Sequence, residues 1–396
     1  MRKPRLGVLA AIAIAPAPMS AEASSASPEG ISYPRPPSKS GKGEPVNQMV
    51  WIAAAMTALG LALGCASDGP RRQAGTPPDV TPSSVLCEDP SLEPDDFCLP
   101  VDSLAGAQQR RDIEILHVGI ASGGTSRPNT IYLGVPEAET NETLVIKGKW
   151  AKAPTGGDGF NNSPRREIAA YRIQILFLEA DQFVVPFTVG RCIPLERHAR
   201  QIGRARETFP GTGCVYGAFA YWVQDVTEED ARDFERAERD PTYKEALARL
   251  NLFTYVISHR DSRDGNFLVS KDLARPRVLS IDNDIAFKGF KNPFTYGPFV
   301  RDWSKIQVDA LPRGDVERLR QVTRADLDRL LVVEQYEVVD GLLVSVPPGP
   351  PLSDRGGVQF DGRIVQIGLD RAEVDGIERR IRKLLERVDA GEIDTF

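Results

Sequence analysis

Histidine is scarce in this chain, at three in 396 residues, and cysteine is limited to five. No two cysteines stand at close C-x-x-C spacing, and His198, the histidine nearest a cysteine, sits in an arginine-rich segment. A zinc site of the usual Cys/His kind is therefore disfavoured. Charge of one sign is also lacking: 49 basic residues against 55 acidic ones leave a net −6, without the basic excess that nucleic-acid binding requires. The apolar run at residues 50–64 stops at Cys65, short of the roughly 20 residues a membrane span needs. No internal repeat is apparent. What remains is a chain long enough for two or three domain-sized units with a substantial core.

Chemistry concentrates in two short stretches, HRDSRDGN at 259–266 and IDND at 281–284. The first sets a carboxylate, Asp261, and a carboxamide, Asn266, five positions apart on one loop, and the second adds Asp282 after an apolar run. Hard oxygen ligands beside a general base are what phosphoryl transfer from ATP requires. Asp261 is the expected base, Asn266 and Asp282 the expected ligands of Mg²⁺, and Arg263 a cation placed to meet charge developing on the γ-phosphate. Taken alone, HRDSRDGN also suits a polar surface turn. Its flanks argue otherwise. Asp240 and Pro241 start a helix whose apolar face runs through Ala246, Leu250, Phe253 and Ile257. FLVS at 267–270 and RVLSI at 277–281 then read as a hairpin that delivers Asp282 beside the loop.

Upstream, TLVIKGKW at 143–150 has strand character and places Lys147 after Val145 and Ile146. Ser163 and Pro164 open a helix with Glu167 in its first turn and an apolar stripe of Ile168, Tyr171, Ile175 and Leu176. A Lys147–Glu167 ion pair would hold an ammonium over nucleotide phosphates. Alternatively Lys147 guards a strand edge and Glu167 complements the helix dipole. Before that strand, backbone amides of Gly123, Gly124 and Thr125 in GIASGGTSRPNTIYLG suit either a phosphate-covering turn or an ordinary hairpin.

The segments REIAAYRIQILF (166–177), VVPFTV (184–189), GAFAYWVQD (217–225), YVISHRDSRDGNFLV (255–269) and IDNDIAF (281–287) resemble the secretory-pathway kinases of the four-jointed and Golgi casein kinase type. Those kinases group with HipA-like and phosphoinositide kinases. The resemblance runs from about residue 113 to the C-terminal helix. It implies an α+β, two-lobed kinase-like fold with a small β-rich N-lobe (109–220), a mostly helical C-lobe (221–396), and ATP with Mg²⁺ or Mn²⁺ between them. By motif position it gives Lys147 and Glu167 to the ion pair, Asp261 to catalysis, and Asn266 and Asp282 to metal. Family members commonly carry Asp-Arg-His where this chain has Asp261, Ser262 and Arg263. Asp284 stands where many have Gly and is either a further ligand or a loop cap. Neither D-F-G nor A-P-E occurs after Asp261, so the activation-loop switch of cytosolic protein kinases is not expected.

The first hundred residues differ in kind. Basic residues 1–5, apolar 6–15 and Ala21-Glu22-Ala23 read as a secretory signal, while LALGCAS at 61–67 resembles a bacterial lipoprotein signal with Cys65 lipidated. One chain does not need both, which points to a true start near Met49. The expectation is a disordered export segment (1–64), a Gly/Pro/Thr-rich tether (65–108), and an envelope lipoprotein held to the membrane through Cys65. Four further cysteines in an exported chain favour disulfides, Cys87–Cys98 and Cys192–Cys214 by local order. The arginine-rich segment 191–206 is either a solvated face or a receiver of acidic or phosphorylated substrate. Thr227 to Arg239 reads as a charged helix with a capping box at Thr227 and Asp230. Further on, a hairpin turned at Asp361-Gly362 and a stripe of Val374, Ile377, Ile381, Leu384, Leu385 and Val388 close the chain.

The expected activity is phosphoryl transfer to a hydroxyl of a protein or glycan. A small-molecule or phosphoinositide-like kinase, another nucleotide transferase, and a catalytically inactive binding module are the alternatives. Oligomeric state is not legible.

Overall fold

Five strands pair into one antiparallel sheet, β1 (Glu114–Ile120), β2 (Asn129–Pro136), β3 (Thr143–Lys152), β4 (Thr188–Pro194) and β5 (Cys214–Tyr221), ordered β1-β2-β3-β5-β4, with β5 buried at nearly every position. The computed structural model describes residues 76–79, 114–121, 128–136, 143–160, 162–287 and 302–396. The expected signal, the tether, Cys65, the Cys87–Cys98 pair and the turn with Gly123, Gly124 and Thr125 lie outside the described residues. On β3, Ile146 and Trp150 are buried on one face, so Lys147 and Lys149 share the other. Gly148 between them is a packing requirement, because a Cβ there would lie 2.1 Å from the Phe219 ring across the ladder. Cys192 and Cys214 are joined across β4 and β5 with Cα atoms 5.7 Å apart.

Helix α1 (Pro164–Gln174) follows β3 with Pro at its first position. Ser163 does not cap it; its hydroxyl donates instead to Asp158 Oδ1 at 2.5 Å. The expected apolar stripe holds except at Ile175, with Leu176 partly buried against the core. Ile168 and Tyr171 are buried, but Ile175 is 43 % exposed, and buried Arg165 and Arg166 take a large share of the inward surface. A short α2 (Leu195–Gln201) leaves β4, and His198 fastens its end through Nδ1 to the Gly203 carbonyl at 2.7 Å.

The second lobe begins with β6 (Val226–Thr227), α3 (Phe234–Arg239) and α4 (Pro241–Val256). The helix expected over residues 227–239 is therefore corrected. Thr227 belongs to a strand, Asp230 has φ +57°, and Asp233 is the true cap, accepting the Arg236 N–H. A left-handed residue interrupts helix propagation there. Asp240 caps α4 as its sequence implies, Oδ1 accepting from Thr242 and Tyr243. The hairpin β7 (Phe267–Ser270) and β8 (Val278–Ser280) forms as expected and joins β6 in a three-stranded sheet.

After β9 (Ala310–Leu311), α5 (Arg313–Gln321) and α6 (Arg324–Asp328), the lobe holds more β-structure than expected. Strands β10 (Glu334–Val339), β11 (Leu342–Val346), β12 (Gln359–Phe360) and β13 (Ile364–Ile367) form a sheet ordered β11-β10-β13-β12. The β12–β13 hairpin turns at Asp361-Gly362 as anticipated; the β10–β11 hairpin at Asp340-Gly341, with φ +52° and +71°, was not anticipated. Helix α7 (Arg371–Asp389) buries Val374, Ile377, Ile381 and Leu384, and β14 (Asp394–Thr395) ends the chain beside β9.

One carboxylate ties the lobes together. Glu373, in the first turn of α7, accepts from Arg165 Nη1, from Arg165 Nη2 at 3.2 Å, from Arg166 Nε at 2.7 Å, and from the Asp370 N–H at 2.9 Å. All three charged side chains are buried. Arg165 Nε also donates to Asp158 Oδ2 at 2.8 Å, so removing the Glu373 charge leaves chiefly Arg166 uncompensated. Glu373→Gln should lower the unfolding free energy by about 3–5 kcal/mol, read as a shifted urea midpoint at unchanged slope.

Candidate active site

Helix α4 runs out at Ile257, and Ser258 adopts φ +52°, so the chain reverses into the loop that begins at His259. The His259 N–H donates to the Thr254 carbonyl at 2.8 Å, and its ring packs 5.2 Å from that of Phe267. Burial pushes this imidazole down to about 4, so it is neutral and structural. Arg232 pins the loop from outside. Its guanidinium lies 4.5 Å over Phe267 and 5.5 Å over Trp303, donates to the Ser262 carbonyl at 3.0 Å, and pairs with Asp264. The Trp303 N–H donates to Ser262 Oγ at 3.1 Å. Nothing in the charged stretch around Arg232 distinguished it in sequence.

Within the loop, Asn266 Nδ2 donates to the Asp261 carbonyl at 2.9 Å, and the Ile281 N–H donates to the Asn266 carbonyl at 2.9 Å. The second bond brings the IDND segment beside the loop. Asp282 then takes φ +59°, a conformation sparsely used by non-glycine residues and common at functional sites.

The lysine that meets this segment is Lys149. Its Nζ lies 2.7 Å from Asp282 Oδ1 and 3.9 Å from Glu167 Oε1, while Glu167 Oε2 accepts the Asn283 N–H at 3.1 Å. Lys147, expected in this place, lies elsewhere. Its ammonium sits 3.9 Å from the Trp222 ring centroid and 5.8 Å from that of Tyr132, a cation–π seat apart from the carboxylates. The two lysines share one face of β3, so alternation alone does not separate them; one pleat, about 7 Å along the strand, decides which reaches the loop. The V-I-K pattern points to Lys147, whereas the lysine that meets Glu167 and Asp282 is Lys149.

Electrostatics follow from this crowding. Burial opposes the Lys149 charge, but Asp282 and Glu167 outweigh it and hold the ammonium above its ordinary range. Burial raises Glu167 despite Lys149, whereas Lys149 and Arg263 overcome burial and hold Asp282 low. Burial, then Asp282 and Glu167, push Asp284 up to about 8 against the weaker pull of Lys149. Arg263 stands at the centre of the oxygens. Its Nη2 lies 3.0 Å from Asp261 Oδ2, 3.3 Å from Asp282 Oδ2 and 3.4 Å from Asn266 Oδ1. The expected base and both expected metal ligands thus converge on one guanidinium nitrogen. Among the described residues no group of three or more His, Cys, Asp or Glu is arranged to hold a metal ion.

No family model matches the chain, and no curated protein matches it. Among solved structures it is similar to one described as the crystal structure of the Golgi casein kinase, with a TM-score of 0.44 and 13 % identity over 79 % of this chain and 84 % of that one. At that distance the likeness carries no functional argument.

The lysine assignment is testable by stability alone. Lys149→Met leaves Glu167 without its cation and Asp282 with Arg263 alone, raising their folded pKa values, so the penalty grows as pH rises above the ordinary carboxylate range. The variant should lose about 1–3 kcal/mol at pH 8 and less at pH 5. Lys147→Met should show no comparable pH dependence in the same denaturation series.

Proposed function

We propose that the chain is an ATP-dependent phosphotransferase acting on a hydroxyl of a protein or glycan. The observation that supports this most is the convergence of Lys149 from β3, Glu167 from α1 and Asp282 from the segment after β8, beside a pinned loop carrying Asp261 and Asn266. A cation braced by two carboxylates, next to a base and further oxygens, suits binding and orienting a polyphosphate. Lys149 replaces Lys147 in this reading.

The donor chemistry fits a divalent ion. Asn266 Oδ1 and Asp282 Oδ2 are hard oxygens that already share one cation, Arg263 Nη2. Those two residues would hold Mg²⁺ or Mn²⁺, which supplies charge neutralisation to the phosphates when bound. Asp261 takes the proton of the acceptor hydroxyl as its oxygen forms a bond to the γ-phosphorus and the bond from phosphorus to the leaving ADP oxygen breaks. Lys149, steadied by Glu167, neutralises phosphate charge, and Arg263, released from the oxygens, is placed to meet the transferring group. Export with a lipid on Cys65 remains part of the proposal, as does a Cys87–Cys98 disulfide.

The position of Arg263 favours one competing reading. A guanidinium seated among Asp261, Asn266 and Asp282 also suits an inactive nucleotide-binding module with no metal. Asp261→Ala separates the two: phosphoryl transfer should fall by at least about 100-fold while ATP binding persists, and Asp282→Ala should weaken metal-dependent ATP binding. Wild-type protein without Mg²⁺- or Mn²⁺-dependent ATP turnover would favour the inactive module. Acceptor screening with protein, glycan and inositol-lipid hydroxyls distinguishes the substrate classes.

The tether has its own check. Intact mass spectrometry of the mature protein should find an acylated N-terminus at Cys65 and all four later cysteines oxidised; a soluble product with reduced thiols would contradict the exported form.

A further inference from the structure

A pocket of about 770 Å³ opens between the last turn of α1, strand β4 and the β10–β11 hairpin. None of Lys149, Glu167, Asp261, Asn266 or Asp282 lines it. Its walls include apolar Val189, Val333 and Leu343, and into them project Arg172 from α1, Arg191 from β4 and Arg197 from α2. Arg172 Nε and Arg191 Nη1 are buried without a hydrogen-bond partner among the described residues. Buried donors of a charged group without an acceptor are costly.

The pocket's own carboxylates do not supply that acceptor. Glu334 is engaged by the Gly190 N–H at 2.8 Å and by the hydroxyls of Tyr336 at 2.7 Å and Tyr216 at 3.1 Å. Asp326 pairs with Arg329 at 3.1 Å and caps α6 through Thr323. Gly190 is required for this arrangement, since a Cβ there would lie 2.2 Å from Glu334 Oε2. Burial, and then the like charge of Arg197, push the Arg191 guanidinium down to about 10. Glu334 lies near enough to act on Arg172 electrostatically, but among the described residues Arg172 Nε and Arg191 Nη1 are left without an acceptor.

We propose that this pocket binds a small phosphomonoester with an apolar body, its dianion received by Arg172 and Arg191 and its body laid on the apolar walls. Two guanidiniums from different elements suit a dianion better than a single carboxylate, because each pairs through directed N–H groups. The volume lies within the range of about 300–1,000 Å³ common for small-molecule sites. The proposal does not depend on the phosphotransferase reading, because its residues are separate.

Calorimetry on the full chain with phenyl phosphate, inorganic phosphate and benzoate tests it. Phenyl phosphate should bind saturably and more tightly than either of the others. Arg191→Met and Arg172→Met should each weaken it by at least about tenfold, Arg191→Lys should keep part of the affinity, and Lys149→Met should leave it unchanged. Without ligand, Arg191→Met should melt no lower than the parent, since it removes an uncompensated buried charge. The proposal is overturned by absent binding, by binding that survives both arginine substitutions, by loss of binding in Lys149→Met, or by an Arg191→Met protein that misfolds or melts well below the parent.

Discussion

The buried carboxylate of Glu373 is the contact on which the site depends. Arg165, Arg166 and Glu167 are consecutive in the first turn of α1; the first two are held by Glu373, so the direction of the third is set by α7. Arg166 also reaches the Asp284 carbonyl at 3.3 Å, and Glu167 receives the Asn283 N–H. One C-terminal side chain therefore registers the N-lobe helix against the segment that carries Asp282. The Lys149–Glu167 separation of 3.9 Å is too long to do this alone.

Around that frame the cleft is a contest between negative groups and two cations. Lys149 neutralises Asp282 from the sheet side and Arg263 from the loop side, which leaves Asp284 short of compensation and carrying a proton near neutral pH. Arg263, a long, 45 % exposed side chain, is free to leave the oxygens when another cation takes its place.

Much of this was legible in sequence because local signals agreed. Asp240-Pro241 before a helical stripe, two short apolar runs around a turn, and Asp361-Gly362 each state their structure within a few residues. The β10–β11 hairpin carries the same Asp-Gly signal at Asp340-Gly341. What was not legible needed distance information. Arg165 and Arg166 look like surface charges until Glu373, some 200 positions away, is placed beside them. Lys147 and Lys149 obey the same alternation, so choosing between them required the pairing register and Trp222. Ile175 fits the apolar stripe of α1 yet is 43 % exposed, because it is the C-cap, one residue past the helix's end at Gln174.

The most direct test of the account is manganese anomalous diffraction from crystals grown with a non-hydrolysable ATP analogue. The account predicts a manganese peak bound by Asn266 and Asp282, Arg263 displaced from both, and Lys149 against the analogue's phosphates. An analogue bound with Arg263 still between those oxygens and no manganese peak, or with Lys147 on the phosphates in place of Lys149, would contradict it.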